Sequence, residues 1–234
     1  MTIVAIDGPA ASGKGTLARR IAERLNYAWL DTGLIYRAAG MAAADSGGDP
    51  GNEKDASEAA RALARRIAAE GTGLLQDPRL RGDIAADAAS RLSAVSAARA
   101  ALLELQRDFA RSPPPLSTGP ARGAVLDGRD IGTVVCPDAE VKLYVTAAVE
   151  ERARRRVQEL QARGQAAIYR AVLEDLKQRD ARDSQRAVAP LTQAADAFLL
   201  DTSALDPDQA LAAALAKIEQ VLSKLGPFST PRRS

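Results

Sequence analysis

Histidine is absent from the sequence of 234 residues, and cysteine occurs once, as Cys136. The first absence excludes histidine general-base catalysis, Ser-His-Asp triads and metal sites with histidine ligands. A single cysteine cannot form a disulfide within the chain, which fits the reducing cytoplasm. No stretch approaches the roughly 18 to 20 consecutive apolar residues of a membrane-spanning helix. The first residues carry no basic segment and predict a buried strand instead of a signal peptide. We therefore expect a cytoplasmic protein.

Aromatic residues and net charge are also low. Aromatic residues make up 3% of the chain, so the core must consist of Leu, Val, Ile and Ala. The formal net charge is +2, which by itself gives no indication of a nucleic-acid partner. With 46% hydrophobic and 26% charged residues, the composition is that of a globular protein. The length fits one α/β domain.

Five short apolar runs predict β-strands. Their apolar character is continuous and not alternating, which indicates strands covered on both faces, as in a parallel sheet between helices. Helical stretches separate the runs, so the order is that of an α/β fold with a five-stranded parallel sheet flanked by helices. The predicted strands are Thr2–Asp7, Ala28–Asp31, Ala124–Asp127, Val141–Thr146 and Phe198–Asp201.

A helical insertion is predicted between the second and third strands. Residues 45–55 and 112–123 are loops by composition, and helical periodicity lies between them around Ala56–Glu70 and Ile84–Phe109. The last residues, Gly226–Ser234, contain two prolines and are expected to form a disordered tail.

The most specific motif follows the first predicted strand and opens the predicted helix Leu17–Leu25. Its glycines let successive backbone N–H groups face an anion, the helix N-terminus adds positive charge, and Lys14 reaches the outer phosphates. Gly15 stands where the general motif has a magnesium-binding hydroxyl, so we expect Thr16 to contact phosphate, as in small-molecule kinases. The alternative is a glycine-rich turn that binds nothing. The predicted ATP-binding residues are Gly8, Pro9, Ala10, Ala11, Ser12, Gly13, Lys14, Gly15 and Thr16.

Asp127 closes the third predicted strand, where a carboxylate can hold a hydrated Mg²⁺. Mg²⁺ is therefore the expected cofactor with ATP, and Asp127 is its candidate ligand through water. The alternative is a strand-end aspartate that only makes a turn. The chain has no Asn-Lys-x-Asp tetrad, which counts against a GTPase.

Three further clusters are hard to explain as scaffolding. Thr32, Tyr36 and Arg37 follow the second strand, with Thr32 at the expected N-cap of a helix. Arg129 and Asp130 follow the third strand, at the edge where ligands of open α/β sheets bind. The third cluster puts three cations around one carboxylate on one helical face, which suits a phosphate and a sugar hydroxyl. Its members are Arg179, Arg182, Asp183 and Arg186.

With these motifs together, the chain resembles the bacterial cytidylate kinase family of P-loop nucleoside monophosphate kinases. The likeness runs in order from about residue 2 to residue 225, and its last two stretches are specific to this family among P-loop kinases. The matching stretches are Asp7–Thr16 (DGPAASGKGT), Leu30–Arg37 (LDTGLIYR), Asp127–Val135 (DGRDIGTVV) and Arg179–Leu191 (RDARDSQRAVAPL).

The resemblance implies transfer of the γ-phosphoryl group of ATP to CMP or dCMP, giving the diphosphate and ADP. It implies a P-loop kinase fold in residues 1–225, with a helical acceptor-binding insertion at about 46–119 and a helical lid at about 149–180. The core would comprise residues 1–45, 120–148 and 187–225.

The resemblance also assigns site residues by position. The implied catalytic residues are Lys14, Arg129, Arg186, Arg152 and Arg155. The residues implied for the acceptor phosphate are Arg37, Arg129 and Arg186, and those implied for its sugar are Arg179 and Asp183. The residues implied for its base are Asp130, Ser90 and Arg99, and Thr32 and Tyr36 are implied beside them.

Asp130 has the chemistry to read the base, because a carboxylate accepts from the N4 amine of cytosine and uracil has an oxygen there. A site that leaves a buried polar partner unpaired rejects the wrong substrate by roughly 10⁴-fold. Ser90 and Arg99 depend on alignment spacing, and the alternative for them is a pair of ordinary exposed helix residues.

The helix predicted from Glu150 to about Ala162 has two interpretations. It is either a solvated helix, held by ion pairs from Glu150 to Arg154 and from Glu151 to Arg155 at ~0.3 kcal/mol each, or a lid. A lid would close arginines over the transferring phosphates, where one arginine contributes about 10³ to 10⁵ in rate. The resemblance favours the lid. The sequence leaves open which arginine points inward, Arg152, Arg155 or Arg156.

One segment departs from the family pattern. The insertion usually holds a small antiparallel sheet, but residues 70–84 are too short and too poor in β-branched residues to form it.

Two other functions stay open, a P-loop kinase for another small acceptor and a nucleotide-binding module without turnover. RNA binding is disfavoured, because aromatic stacking residues are scarce near the arginines. The expected partners are ATP and CMP or dCMP, without nucleic acid or membrane, and a monomer is expected.

Overall fold

Five strands form one sheet in the computed structural model, which describes residues 1–225. The strands are β1 (Thr2–Asp7), β2 (Ala28–Asp31), β3 (Gly123–Gly128), β4 (Val141–Thr146) and β5 (Phe198–Asp201). All pairings are parallel, in the order β2-β3-β1-β4-β5. The predicted α/β fold is confirmed, and so is each predicted strand. The predicted tail, residues 226–234, lies outside the described residues.

Helices cover both faces of this sheet. They are α1 (Lys14–Leu25), α2 (Thr32–Asp45), α3 (Glu53–Glu70), α4 (Asp83–Ser93), α5 (Ser96–Arg111), α6 (Val149–Ala162), α7 (Tyr169–Gln185) and α8 (Pro207–Leu225). None of these described helices is both long and apolar enough to cross a membrane.

Some predicted helix boundaries were wrong. The helix after the glycine-rich motif begins at Lys14, so this lysine lies in the first turn. The stretch predicted as one helix around residues 84–109 is two helices, because Val95 is extended (φ −86°, ψ 111°). Helix α7 ends at Gln185, and Arg186 is extended (φ −62°, ψ 141°), so it does not share the predicted helical face.

The shortened segment before α4 forms two 3-10 turns, residues 72–76 and 78–81. Asp77 starts the second turn by accepting a hydrogen bond from the backbone N–H of Arg79 (2.8 Å). Leu75 and Leu80 are buried and attach the turns to the rest of the insertion. The segment is therefore packed without the β-branched residues that a small sheet would need.

The sheet separates two hydrophobic clusters. Because side chains alternate along a strand, Val4 and Ile6 of β1 face one cluster and Ala5 faces the other. Helices α1 and α8 cover the first, whereas α2, α3 and α5 cover the second. Continuous apolar sequence in the strands follows from this double burial.

Helix α4 packs closely on α2 because Gly40 has no side chain. A Cβ atom at Gly40 would lie 2.7 Å from the carbonyl carbon of Ala88 in α4, a distance too short for two carbon atoms. The close approach fixes α4, and with it Ser90, against the helix that follows β2.

Candidate active site

A polar cleft of about 190 Å³ opens at the carboxyl edge of the sheet. The parallel register sets Asp31 of β2 beside Asp127 of β3, and Asp7 of β1 beside Gly128. Lys14, Asp127 and all ten acceptor-side residues named from the sequence line this one cleft. The ten are Thr32, Tyr36, Arg37, Ser90, Arg99, Arg129, Asp130, Arg179, Asp183 and Arg186.

The loop between β1 and α1 has a backbone that restricts its sequence. Gly8 has a φ of +154°, and a Cβ atom there would lie 2.0 Å from the carbonyl oxygen of Val145. Gly13 (φ +84°) and Ala11 (φ +58°) are left-handed. Turns of this kind direct successive backbone N–H groups to one side and form a concave anion site. Helix α1 adds the positive end of its dipole to the same place.

Lys14 brings a buried cation to this loop. Its Nζ donates to the carbonyl oxygen of Pro9 (3.3 Å). Burial, together with the positive charge of Arg129, lowers the pKa of Lys14 to about 8. The free protein therefore holds this ammonium group at an energetic cost, which an anion in the loop would offset.

Two carboxylates lie on the other side of Lys14. Asp127 Oδ2 accepts from the indole N–H of Trp29 (2.8 Å). Burial and the negative charge of Asp31 raise the pKa of Asp127 to about 7. A Cβ atom at Gly15 would lie 3.8 Å from Asp127 Oδ1, so a side chain at that position would stand beside the carboxylate.

Thr32 lies one position inside the predicted cap. Asp31 is the N-cap residue of α2, and Thr32 is its first helical residue, so the predicted N-cap position was wrong. The Thr32 hydroxyl donates to the backbone carbonyl of Asp127 (2.8 Å) and so joins the start of α2 to the end of β3.

Asp130 lies between two arginines in the cleft. Its carboxylate forms an ion pair with Arg99, and both side chains are less than a tenth exposed. Arg186 Nη2 lies 3.7 Å from the other oxygen of Asp130. The Arg99 guanidinium also lies over the ring of Tyr36, 5.3 Å from its centroid. Arg99 is therefore buried in the site and is not an exposed helix residue.

A second ion pair lies nearer the loop. Arg129 Nε donates to Asp183 Oδ2 (2.7 Å). Burial disfavours the charge of Asp183, but the charge and hydrogen bond of Arg129 outweigh it, and the pKa of Asp183 lies below its usual value. This pair joins the end of β3 to α7, which carries the third motif.

Three polar atoms of cleft-lining residues are buried without a hydrogen-bond partner among the described residues. They are the Ser90 hydroxyl oxygen, Arg179 Nε and Arg186 Nη2. Buried polar atoms are nearly always paired in proteins, so unpaired ones that line a cleft indicate a polar ligand.

Arg37 and Arg179 reach the cleft from two other elements. Arg37 Nη1 donates to the carbonyl oxygen of Leu80 (2.8 Å), so the second 3-10 turn contacts an acceptor-side arginine. Arg179 forms an ion pair with Asp175, one turn earlier in α7 (2.9 Å).

Arg152 and Arg155 of α6 point toward the phosphate-binding loop and not to the cleft wall. Arg152 donates to the loop carbonyl of Ala10 (3.1 Å) and to both carboxylate oxygens of Asp180 (3.2 and 2.6 Å). Arg155 donates to the hydroxyl of Thr202 (3.0 Å), and its Nη1 would lie 3.9 Å from a Cβ at Gly13.

Other arginines of α6 point elsewhere. Arg156 pairs with Asp83 at the start of α4. Arg154 pairs with Glu151 (2.6 Å), and the predicted pair of Arg154 with Glu150 is not among the ion pairs of the described chain. The other predicted pair, Arg155 with Glu151, is present at 3.2 Å.

Sequence reasoning missed several residues of the site. Asp7 accepts from two backbone N–H groups behind the cleft, Asp31 raises the pKa of Asp127, and Asp180 and Thr202 hold the two α6 arginines. Asp7, Asp31 and Asp180 all stand inside the recognised motifs. Their motif positions were the signal that could have identified them.

Comparison with known proteins shows the family and the fold. The model of a family described as "Cytidylate kinase" matches residues 4–220. A cytidylate kinase of Paramagnetospirillum magneticum is 57% identical over 217 residues, which are 93% of this chain and 97% of the relative. One of Rhodospirillum rubrum is 58% identical over 213 residues, 91% of this chain and 95% of the relative. The crystal structure of an uncharacterized protein from Eubacterium ventriosum shares the fold, with a TM-score of 0.52 at 13% identity over 95% of this chain and 99% of the other.

Proposed function

The chain belongs to the cytidylate kinase family and phosphorylates CMP and dCMP with ATP, and on that premise we propose that the cleft at the carboxyl edge of the sheet is its active site. The observation that carries the assignment is the buried Asp130 carboxylate between Arg99 and Arg186, in the same cleft that Lys14 lines. A phosphate-binding loop and a buried carboxylate in one cleft suit two nucleotides whose phosphates meet there.

The donor triphosphate binds in loop 8–13, where backbone N–H groups and Lys14 surround the β- and γ-phosphates. Arg152 and Arg155 approach this loop from α6 and act as the lid arginines. As phosphoryl transfer spreads charge over the equatorial oxygens, cations held beside the loop stabilise the transition state.

The acceptor lies across the carboxyl ends of β2 and β3. We assign its phosphate to Arg37, Arg129 and Arg186, the positions that the family resemblance implies, and all three line the cleft. Burial lowers the pKa of Lys14 and that of Arg37, and the positive charge of Arg129 lowers both further. Arg179 and Asp183 contact the sugar. The acceptor phosphate is ionised at neutral pH and supplies the nucleophilic oxygen, so the protein's contribution is alignment and charge neutralisation.

Asp130 reads the base by accepting from the N4 amine of cytosine. Arg99 orients the carboxylate through their ion pair, and the Arg99 guanidinium in turn lies over the ring of Tyr36. The unpaired hydroxyl of Ser90 supplies a further polar contact in the same part of the cleft. Uracil has an oxygen in place of the N4 amine, so it would leave the Asp130 carboxylate without a hydrogen-bond donor.

Mg²⁺ fits the residues present. No three His, Cys, Asp or Glu side chains of the described residues form a group that could hold a metal ion. Mg²⁺ normally uses one or two carboxylates together with substrate phosphates and water. Asp127 and Asp31 supply such a pair beside Lys14. Burial and then the negative charge of Asp31 raise the pKa of Asp127, and a bound cation would favour its ionised form. When bound, Mg²⁺ would neutralise charge on the donor phosphates.

We assign each part of the function to a separate part of the chain. Residues 1–45, 120–148 and 187–225 form the core that binds ATP, residues 46–119 close the base and phosphate side, and residues 149–180 form the lid. The lone thiol, Cys136, is buried and suits a reducing cytoplasm.

An acceptor comparison tests the base assignment. With ADP release as the readout, we expect turnover of CMP and dCMP, and kcat/KM for UMP lower by about 10²-fold or more. Asp130→Asn should narrow the difference between CMP and UMP, because an amide can both donate and accept. Preference for AMP, or an unchanged CMP to UMP ratio in Asp130→Asn, would contradict the assignment.

A further inference from the structure

The turn that follows Asp130 is held at both ends by charged side chains outside the cleft. It is a single π-helical turn, Ile131–Val135, in which the amide of Cys136 donates to the carbonyl of Ile131 (2.7 Å). Such turns are rare and occur frequently at functional sites. Asp130 is the residue just before the turn, so the orientation of the turn determines where the Asp130 carboxylate points.

Asp7 holds the beginning of this turn. Its Oδ1 accepts from the backbone N–H of Ile131 (2.7 Å), and its Oδ2 accepts from that of Gly132 (2.8 Å). These are N–H groups that a helical turn cannot satisfy itself. Asp7 is buried at the end of β1 and directly precedes Gly8, so the donor loop and the turn share one anchor.

Arg107 holds the other end. Its Nε donates to the carbonyl oxygen of Val135 (3.2 Å), and its Nη2 donates to that of Val134 (3.1 Å). These carbonyls belong to the last residues of the turn, where partners are again missing. A carboxylate at the beginning and a guanidinium at the end both match the partial charges of the turn.

Helix α5 connects Arg107 to the site. Arg99, two turns earlier in α5, forms the ion pair with Asp130 itself. The helix therefore contacts the Asp130 side chain with one arginine and the far end of the turn with the other, while Asp7 contacts the near end from β1. Arg99 and Arg107 of α5 and Asp7 of β1 together fix the position of the Asp130 carboxylate.

We propose that Asp7 and Arg107 are positioning residues for base selection, which fix the turn carrying Asp130 and thereby the preference for cytosine over uracil. The inference rests on the proposed function, in which Asp130 reads the N4 amine. Neither side chain belongs to the cleft wall, so each acts through the 131–135 turn and not by touching the nucleotide.

A displaced turn moves the Asp130 carboxylate relative to the base amine but leaves the donor phosphates where they are. A misplacement of about 1 Å can lower a rate roughly 10²-fold. In such a variant, CMP loses the hydrogen bond between its N4 amine and Asp130, whereas UMP has no amine and never made this bond. The kcat/KM for CMP therefore decreases more than that for UMP, and the ratio of CMP to UMP falls.

The test compares variants of the full-length protein with matched controls. Asp7→Asn replaces one acceptor oxygen by a donor, and Arg107→Gln removes both donors to the turn. Arg111→Gln, one turn later in α5, removes only an exposed arginine, and Asp138→Asn changes an exposed carboxylate after the turn. For each protein, kcat/KM is measured with CMP and with UMP, and KM is measured for ATP.

We expect the CMP to UMP ratio to fall about tenfold or more in Asp7→Asn and Arg107→Gln, with the KM for ATP in Arg107→Gln changed less than about threefold. Arg107→Lys, which can still donate to one carbonyl, should recover part of the ratio. Both controls should keep the ratio of the unmodified protein.

Equal decreases of kcat/KM for CMP and for UMP would mean that Asp7 and Arg107 have only a structural role, and would overturn the inference. If Asp7→Asn fails to fold, Arg107→Gln decides, because this side chain is partly exposed and tolerates replacement. Asp130→Asn is measured alongside. An unchanged ratio in that variant contradicts the proposed function, whereas a changed ratio there with none in Asp7→Asn and Arg107→Gln contradicts only this inference.

Discussion

Removing one partner of the Arg99–Asp130 ion pair should destabilise the protein more than removing both. The two side chains are 8% and 6% exposed, so neither has water as an alternative partner. Arg99→Met leaves the Asp130 carboxylate buried with Arg186 Nη2 at 3.7 Å as its remaining cation. Asp130→Asn leaves Arg99 buried with the face of Tyr36 at 5.3 Å.

The magnitude follows from burial. Breaking a buried pair by removing one partner destabilises by about 3–5 kcal/mol, whereas replacing both by neutral groups is often nearly neutral. Arg186 still faces Asp130 in Arg99→Met, so we expect the lower end of that range, ~3 kcal/mol, for each single variant. The double variant should then lose far less than the sum, which gives a coupling energy of at least about 2 kcal/mol.

Urea unfolding of the unmodified protein, both single variants and the double variant measures this coupling. The exposed pair of Arg19 and Glu23, at 2.7 Å but 52% and 59% exposed, provides the matched control cycle. That cycle should give less than about 1 kcal/mol. A coupling energy for Arg99 and Asp130 as small as the control would refute the reasoning, since it would mean that water screens the pair.

Three other variants test separate parts of the site. Lys14→Met should lower the rate of ADP release by about 10²-fold or more without lowering the urea midpoint, and a smaller loss would remove Lys14 from phosphate neutralisation. Gly8→Ala should abolish ATP binding in calorimetric titration, because its Cβ would lie 2.0 Å from the carbonyl of Val145, whereas Gly73→Ala, with no atom within 4 Å, should bind normally. Burial raises the pKa of Asp7 from 3.8 to about 6 in the folded protein. As pH rises, the Asp7 carboxyl therefore ionises first in the unfolded chain. The free energy of unfolding that Asp7 contributes below about pH 4 is then lost by about pH 6. The unfolding free energy of the unmodified protein should fall by about 3 kcal/mol relative to Asp7→Asn between these pH values, and a pH-independent difference in urea unfolding would contradict the raised pKa.

Much of the fold could be predicted because it depends on local patterns. Strands buried on both faces have continuous apolar runs, and the glycine-rich loop has backbone angles that few residues adopt. The break between α4 and α5 could not be predicted, because Val95 continues the helical periodicity although its backbone is extended. The end of α7 at Gln185 was missed for the same reason, since the following residues do not signal a stop before Pro190.

Eight of the ten acceptor-side residues could be named because they stand in dense motifs, whereas Ser90 and Arg99 were named from alignment spacing. The structure brings all ten to one cleft. The backbone groups that these and other charged side chains contact could not be predicted. Arg107 donates to backbone carbonyls, and a carbonyl has no sequence signature. Leu80, which orients Arg37 through its carbonyl, lies in the segment where the chain departs from the family pattern. Contacts to the backbone require the fold before they can be recognised.

The charges of the cleft explain why it should bind two phosphorylated ligands together. Burial is the first cause that lowers the pKa of Lys14, Arg37 and Arg186, and neighbouring arginines lower the pKa of each of them further. A lowered pKa means that the free protein keeps these cations charged against both desolvation and mutual repulsion. The carboxylates Asp130 and Asp183 offset part of this cost at Arg186, but Asp130 makes its shorter ion pair with Arg99, and Asp183 pairs with Arg129. Anionic ligands supply the missing negative charge, so each phosphate that enters lowers the repulsion that the protein alone must bear. Because donor and acceptor phosphates share these cations, the electrostatic gain is greatest when both are present, which is the state from which phosphoryl transfer proceeds.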